Sequence, residues 1–186
     1  IYVSAPPIPA AVKTTTGETL YTREQYDMGR QVWQSVGGHQ MGSIWGHGSY
    51  VAPDWSADWL HREATALLDL WAQRDAGKAY ADLDAVQQAG LQAGLQQAMR
   101  KNTYDPSTGV ITVDEDRAQA IRQVNDHYMR PFGPDIELNT LRAQYAIQQN
   151  PIPDVAQRQA MMAFFFWTSW SASTNRPDNT ITYTSN

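Results

Sequence analysis

The 186 residues include no cysteine, and that absence removes a good deal of chemistry. Disulfides, thiolate zinc sites, iron–sulfur clusters and haem attachment through Cys-x-x-Cys-His are all excluded. Long apolar runs are lacking as well. The longest, residues 160–167, is about half of the roughly 20 residues that a helix needs to cross a bilayer. Basic clusters are missing too: 14 Lys and Arg are scattered among 19 Asp and Glu, for a net charge of -5. The sequence therefore carries no electrostatic footprint for nucleic acid. No internal repeat or low-complexity segment stands out. The chain starts at Ile1 with no charged stretch leading into an apolar one, which predicts a piece cut from something longer. Its length fits a single soluble domain, residues 1–186, with one core.

What the chain does have is concentrated in residues 37–63. This stretch holds three of the four histidines, three of the seven tryptophans and five of the twelve glycines. Either it binds something or it fills a place where something was once bound. His39, His47, His61 and Glu63 carry the imidazole and carboxylate groups that metals and general bases use. Their spacing matches no standard metal motif: His61 and Glu63 are two apart, off a shared helical face, and no His-Glu-x-x-His occurs. The glycines fit neither a dinucleotide fingerprint nor a P-loop, and Gly42-Ser43-Ile44-Trp45-Gly46 is not a serine nucleophile elbow.

Taken in order, Pro6, Pro7 and Pro9 forbid helix in an extended lead-in over residues 1–11. A hairpin is expected over 12–21, where β-branched residues flank a Gly turn. Thr22 and Gln25 form a capping-box pattern, and Tyr26, Gly29, Val32, Trp33 and Val36 mark one face of the helix that follows. A second helix should begin near Asp54 or Ser56 and end at Gly77, burying Trp55, Trp59, Leu60, Ala64, Leu67, Leu68 and Trp71. A third is expected from about Asp82 to Arg100 with a stripe of Leu83, Gln87, Leu91 and Leu95. Its two glycines either weaken it or let it pack closely on a neighbour.

A second hairpin is expected over 102–113, then a fourth helix from the Asp114 cap to Arg130. A short helical piece covers 137–148, and Asp154 caps a last helix that is apolar almost all round. The polar tail, 171–186, holds a candidate strand at 180–184. These elements describe a mainly α domain with small hairpins: lead-in and hairpin 1–21, helical core 22–170, then the tail. The apolar last helix, or the region of Trp55 and Trp59, is expected to leave an exposed patch on the isolated domain.

The run Gly29-Arg30-Gln31-Val32-Trp33-Gln34-Ser35-Val36-Gly37-Gly38, followed by Gly46-His47-Gly48-Ser49-Tyr50-Val51-Ala52-Pro53-Asp54-Trp55, resembles the hydrophilic domain of the single-chain, quinol-dependent nitric oxide reductases. Phe164-Phe165-Phe166-Trp167-Thr168-Ser169-Trp170 and Thr174-Asn175-Arg176-Pro177 resemble the part of that family just ahead of its catalytic transmembrane helices. The same region is similar to the cytochrome c subunit of the two-subunit nitric oxide reductases. Ungapped alignment on Gly46 to Tyr50 puts Gly38 and Met41 at that subunit's two cysteine positions and Gly42 at its haem-ligand histidine.

The resemblance implies a cytochrome c-like helical domain without haem, its cavity filled by bulky side chains. It implies no cofactor and no catalytic residue in this domain, with haem b and a non-haem iron in the parent enzyme, which reduces two NO to N2O with electrons from quinol. The implied partner is the membrane-embedded catalytic part of the same chain, with quinol near the membrane, and the implied location is periplasmic, with the tail leading toward a transmembrane segment. Two other readings compete: an autonomous metal-dependent enzyme using His39, His47 and His61 with Glu63, or a docking module for an electron-transfer protein, to which the net acidity points.

Overall fold

The computed structural model describes residues 5–50, 52–145 and 147–185. Outside them lie the start of the proline-rich lead-in, residue 51 of the glycine-rich stretch, residue 146 of the short helical piece and the last residue of the tail. Among the described residues the chain forms six α-helices and two small sheets: β1 (Ala11–Thr14), β2 (Thr19–Thr22), α1 (Arg23–Ser35), β3 (Ser43–Ile44), β4 (His47–Gly48), α2 (Trp55–Ala76), α3 (Ala85–Arg100), β5 (Tyr104–Asp105), β6 (Val110–Val113), α4 (Glu115–Met129), α5 (Asn139–Gln144) and α6 (Val155–Ser173). The domain is mainly α, as the periodicity predicts.

Helix starts follow local chemistry. Thr22 accepts from the Gln25 amide at 3.2 Å, while the Gln25 side chain accepts from the Thr22 amide at 3.0 Å, so two amides without helical partners are satisfied reciprocally. Asp54, Asp114 and Asp154 cap α2, α4 and α6 through the amides of Ala57, Arg117 and Gln157 at 3.0, 2.8 and 2.8 Å. Each carboxylate also faces the positive end of a helix dipole.

Helix α6 is the axis of the core. From Ala160 to Ser171 every residue is buried, and α1, α2 and α4 pack around it. Contact with α1 is close enough to require a glycine: a Cβ on Gly29 would lie 2.0 Å from the Ala160 carbonyl oxygen. The two predicted hairpins join into one sheet of order β2-β1-β6-β5 through parallel pairing of β1 with β6. Val12, Ile111 and Val113 of that sheet enter the core. The lead-in is anchored where the Trp167 indole donates to the Pro7 carbonyl at 2.8 Å.

Four expectations are corrected. The third helix starts at Ala85, because Asp84 and Gln87 form a capping box that outcompetes the earlier acid at Asp82, which lies in a separate 3-10 turn. Of its expected stripe only Leu83, ahead of the helix, is buried: Met99 is the only buried residue of α3, Gln87 is exposed, and Leu91 and Leu95 are half-buried. The glycines of α3 do not serve close packing, since a Cβ on Gly90 would meet nothing within 4 Å and one on Gly94 only Trp71 at 3.9 Å. At 180–184 no strand forms; Thr182 makes one isolated bridge to Asn175.

The expected exposed apolar patch is also overturned. Trp55 and Trp59 are 1% and 0% exposed, and the aromatic residues of α6 are buried as well. The domain covers its own apolar helix, because α1, α2 and α4 surround α6 and the Trp167 edge is capped by the lead-in. No helix of the described residues is long and apolar enough to cross a membrane.

Candidate functional site

The glycine-rich stretch is laid against the interior by two tryptophans. Trp33, on the inner face of α1, and Trp55, in the first turn of α2, are both 1% exposed. Their rings converge on Phe165 of α6: Trp33 meets it edge-on at 5.4 Å, and Trp55 stacks on it at 5.8 Å with 4° between the planes. Trp55 also donates through Nε1 to the Met41 carbonyl at 3.1 Å. Met41 is itself buried.

The stretch can approach these rings only where it has no side chain. A Cβ on Gly38 would lie 2.1 Å from the Trp33 ring, and one on Gly42 would lie 2.3 Å from Trp55 Nε1 and 2.5 Å from the Pro53 carbonyl oxygen. At Gly42 a φ of 149° adds a backbone conformation that disfavours any other residue. Residues 38, 41 and 42 thus lie together over the aromatic interior, the indoles occupying the space in front of both glycines.

Asp54 fixes the rest of the stretch. Its Oδ2 accepts from Ser43 Oγ at 2.8 Å and from the Gly46 amide at 2.6 Å, while Oδ1 accepts from the Ala57 amide at 3.0 Å and closely from Ser56 Oγ. Burial pushes the Asp54 carboxyl up, but the hydrogen bonds from Ser56, Gly46, Ala57 and Ser43 outweigh it and hold the group below the usual carboxylate range. Trp45 sits at φ 52° at the tip of the β3–β4 hairpin. Two hydrogen bonds hold it there, its amide donating to Ser56 Oγ at 3.0 Å and its indole to the Thr168 carbonyl at 2.8 Å.

The histidines do not converge. His39 Nδ1 lies 3.4 Å from the His47 carbonyl oxygen, so these two are neighbours through backbone. His61 is on the outer face of α2, where it lines a 270 Å³ cleft with His127 of α4. Burial first, and the nearby Arg62 cation second, hold His127 below the ordinary imidazole range. Glu63 points the other way, fully buried and bound to Arg117 Nε at 2.6 Å and Trp59 Nε1 at 3.1 Å. Among the described residues no group of three or more His, Cys, Asp or Glu could hold a metal ion.

Sequence reasoning missed two polar groups of the interior. One is the Glu63–Arg117 ion pair, whose members are separated by 54 positions. The other is Tyr128, whose hydroxyl donates to Asp58 while Arg62 bonds the same carboxylate at 2.9 Å and lies 5.8 Å over the Tyr128 ring. Burial, reinforced by the Asp58 carboxylate, pushes the Tyr128 phenol far up. Only the i, i+4 spacing of Asp58 and Arg62 could have pointed to the second group.

A family model for the cytochrome c-like domain of the nitric oxide reductase NorB matches residues 9–186. The chain belongs to that family. No curated protein matches it in sequence. The family's name implies haem, and the residues at the aligned attachment positions do not fit a covalently held one. Thioether attachment needs thiols, which the chain lacks, and the Trp33 and Trp55 indoles stand where side chains of residues 38 and 42 would project.

Proposed function

We propose that this domain is the haem-free, periplasmic part of a quinol-dependent nitric oxide reductase and that its own role is structural. The parent reaction joins two NO into N2O with electrons from quinol, on haem b groups and a non-haem iron held elsewhere in the protein. The domain's partner is the membrane-embedded catalytic part of the same chain, which it covers and helps to shape near the quinol site. One observation carries the reading: Trp33, Trp55 and Phe165 pack ring against ring under Gly38, Met41 and Gly42. These are the positions aligned with the attachment groups of the cytochrome c subunit. An interior closed by aromatic packing has no use for a porphyrin, and a domain without one cannot relay electrons by haem.

The test is reconstitution. Purified domain incubated with haem is expected to show no specific, stoichiometric Soret band, and such a band would overturn the haem-free reading. The parent context is tested separately by reading the gene on either side, where transmembrane helices are expected before residue 1 and soon after residue 186.

A further inference from the structure

The positive charge of this acidic protein is unevenly used. Of its 14 Lys and Arg, six arginines form ion pairs with carboxylates. Arg142 and Arg158 are buried and donate to backbone carbonyls. Six cations remain, of which Lys13, Arg30 and Lys78 are scattered. Arg100, Lys101 and Arg176 instead line one cavity of ≈ 1050 Å³, between the end of α3, the β5–β6 hairpin, the lead-in and the tail. None of these three is ion-paired among the described residues.

The walls of this cavity are fixed. Asn102 Nδ2 donates to the Asn175 carbonyl at 3.0 Å and to Tyr183 Oη at 2.9 Å, and the Asn175 amide donates to the Arg100 carbonyl at 3.0 Å. Arg176 Nη2 reaches the carbonyls of Tyr183 and Ser185 at 3.2 and 2.5 Å, while its Nε has no hydrogen-bond partner among the described residues. Arg100 offers Thr180 only a long contact of 3.5 Å, leaving most of its five donors free. A helix dipole accounts for cations at the end of α3, and tail closure accounts for Arg176. Neither accounts for three cations without an ion pair among the described residues around one cavity in a protein of net charge -5, where Asp178 is the only carboxylate among the described lining residues.

We propose that this cavity is a binding site for a phosphate-type oxyanion, held by Arg100, Lys101 and Arg176 between the Tyr104 and Tyr183 side chains. Inorganic phosphate and the headgroup of an anionic phospholipid offer the same chemistry. The site stands independently of the haem-free reading, since its one aromatic tie to the core among the described ring contacts runs from Tyr183 to Trp170 at 5.5 Å and not to Trp33, Trp55 or Phe165.

The test has two arms on the 186-residue chain. In one, inorganic phosphate is titrated and followed by calorimetry; in the other, phosphatidylcholine vesicles with and without phosphatidylglycerol are floated with the protein. Saturable binding in either arm is expected, and which arm responds identifies the source. Arg100→Gln with Lys101→Gln, both at exposed positions, should weaken phosphate binding at least about tenfold. The same pair should lower vesicle partition about thirtyfold, since each cation near an anionic surface contributes about fivefold. The control pair Lys13→Gln with Lys78→Gln should change neither. Absence of binding in both arms would overturn the proposal, as would equal losses in the two variant pairs.

Discussion

Two pairs of glycines in this domain do opposite things. Gly38 and Gly42 are pressed onto indole rings, where a methyl group would lie 2.1 to 2.3 Å from a tryptophan. Gly90 and Gly94 sit in the middle of α3, where a methyl group would meet open space or one ring atom at 3.9 Å. The first pair is part of a tightly closed interior; the second lies on a helix that contributes a single buried residue, Met99. A glycine is informative only through what faces it. The family resemblance lends Gly38 and Gly42 a meaning as lost attachment positions, and the structure adds that their missing side chains make room for Trp33 and Trp55.

The contrast can be broken most severely at its centre. Phe165→Ala, which removes the ring shared by Trp33, Trp55, Tyr128 and Phe132, is expected to cost about 4 kcal/mol in urea unfolding. Leu91→Ala, at a half-buried position of α3, should cost under about 1.5 kcal/mol by the same measurement. Equal losses would mean that α3 belongs to the same packed unit.

Next in size is Gly42→Ala, expected to cost about 3 kcal/mol through overpacking against Trp55 and the unfavourable φ. Thermal unfolding at several scan rates checks it, and an unchanged midpoint would show that the indole can yield.

A smaller effect concerns acid. The Asp54 carboxyl is held below its unfolded value, so its contribution to stability is fully present above the unfolded value, about 4, and is lost as pH falls through the folded one. Asp54→Asn, which keeps a helix cap, should therefore lower stability near neutrality and flatten the acid limb of the pH profile. The group is partly exposed, so solvent screening keeps the effect modest. A profile parallel to that of the unsubstituted protein would remove Asp54 from the account.

The smallest change has the opposite sign. Gly90→Ala should stabilise the domain by about 0.5 to 1 kcal/mol, because the helix gains propensity and the methyl group meets nothing. A loss at this position would mean that α3 is covered in solution.

Much of the fold is readable in the sequence because it is local. Thr22, Asp54, Asp114 and Asp154 cap helices through residues three positions on, so short-range chemistry suffices to place those starts. Expectation fails where burial depends on distant partners. Leu83, Gln87, Leu91 and Leu95 have helical spacing, yet only Leu83, ahead of α3, is buried, while Leu91 and Leu95 stay half-buried and Gln87 is exposed. Trp55 and Trp59 could equally have faced outward, until α4 and α6 closed over them. Glu63 suggests a ligand only through its carboxylate, its spacing from His61 arguing against a shared site; its actual partner, Arg117, lies 54 positions away.

The residues of 37–63 therefore mean something different from what their histidines suggest. By itself the sequence determined that no thiol could hold a haem and that most helices begin at capped positions. These follow from composition and short-range spacing. Only the tertiary structure decided that indoles fill the space before Gly38 and Gly42, that β1 and β6 join two hairpins into one sheet, and that three cations with no ion pair among the described residues share a cavity. Each of those depends on segments far apart in the chain, which come together only when burial of α6 closes the core around it.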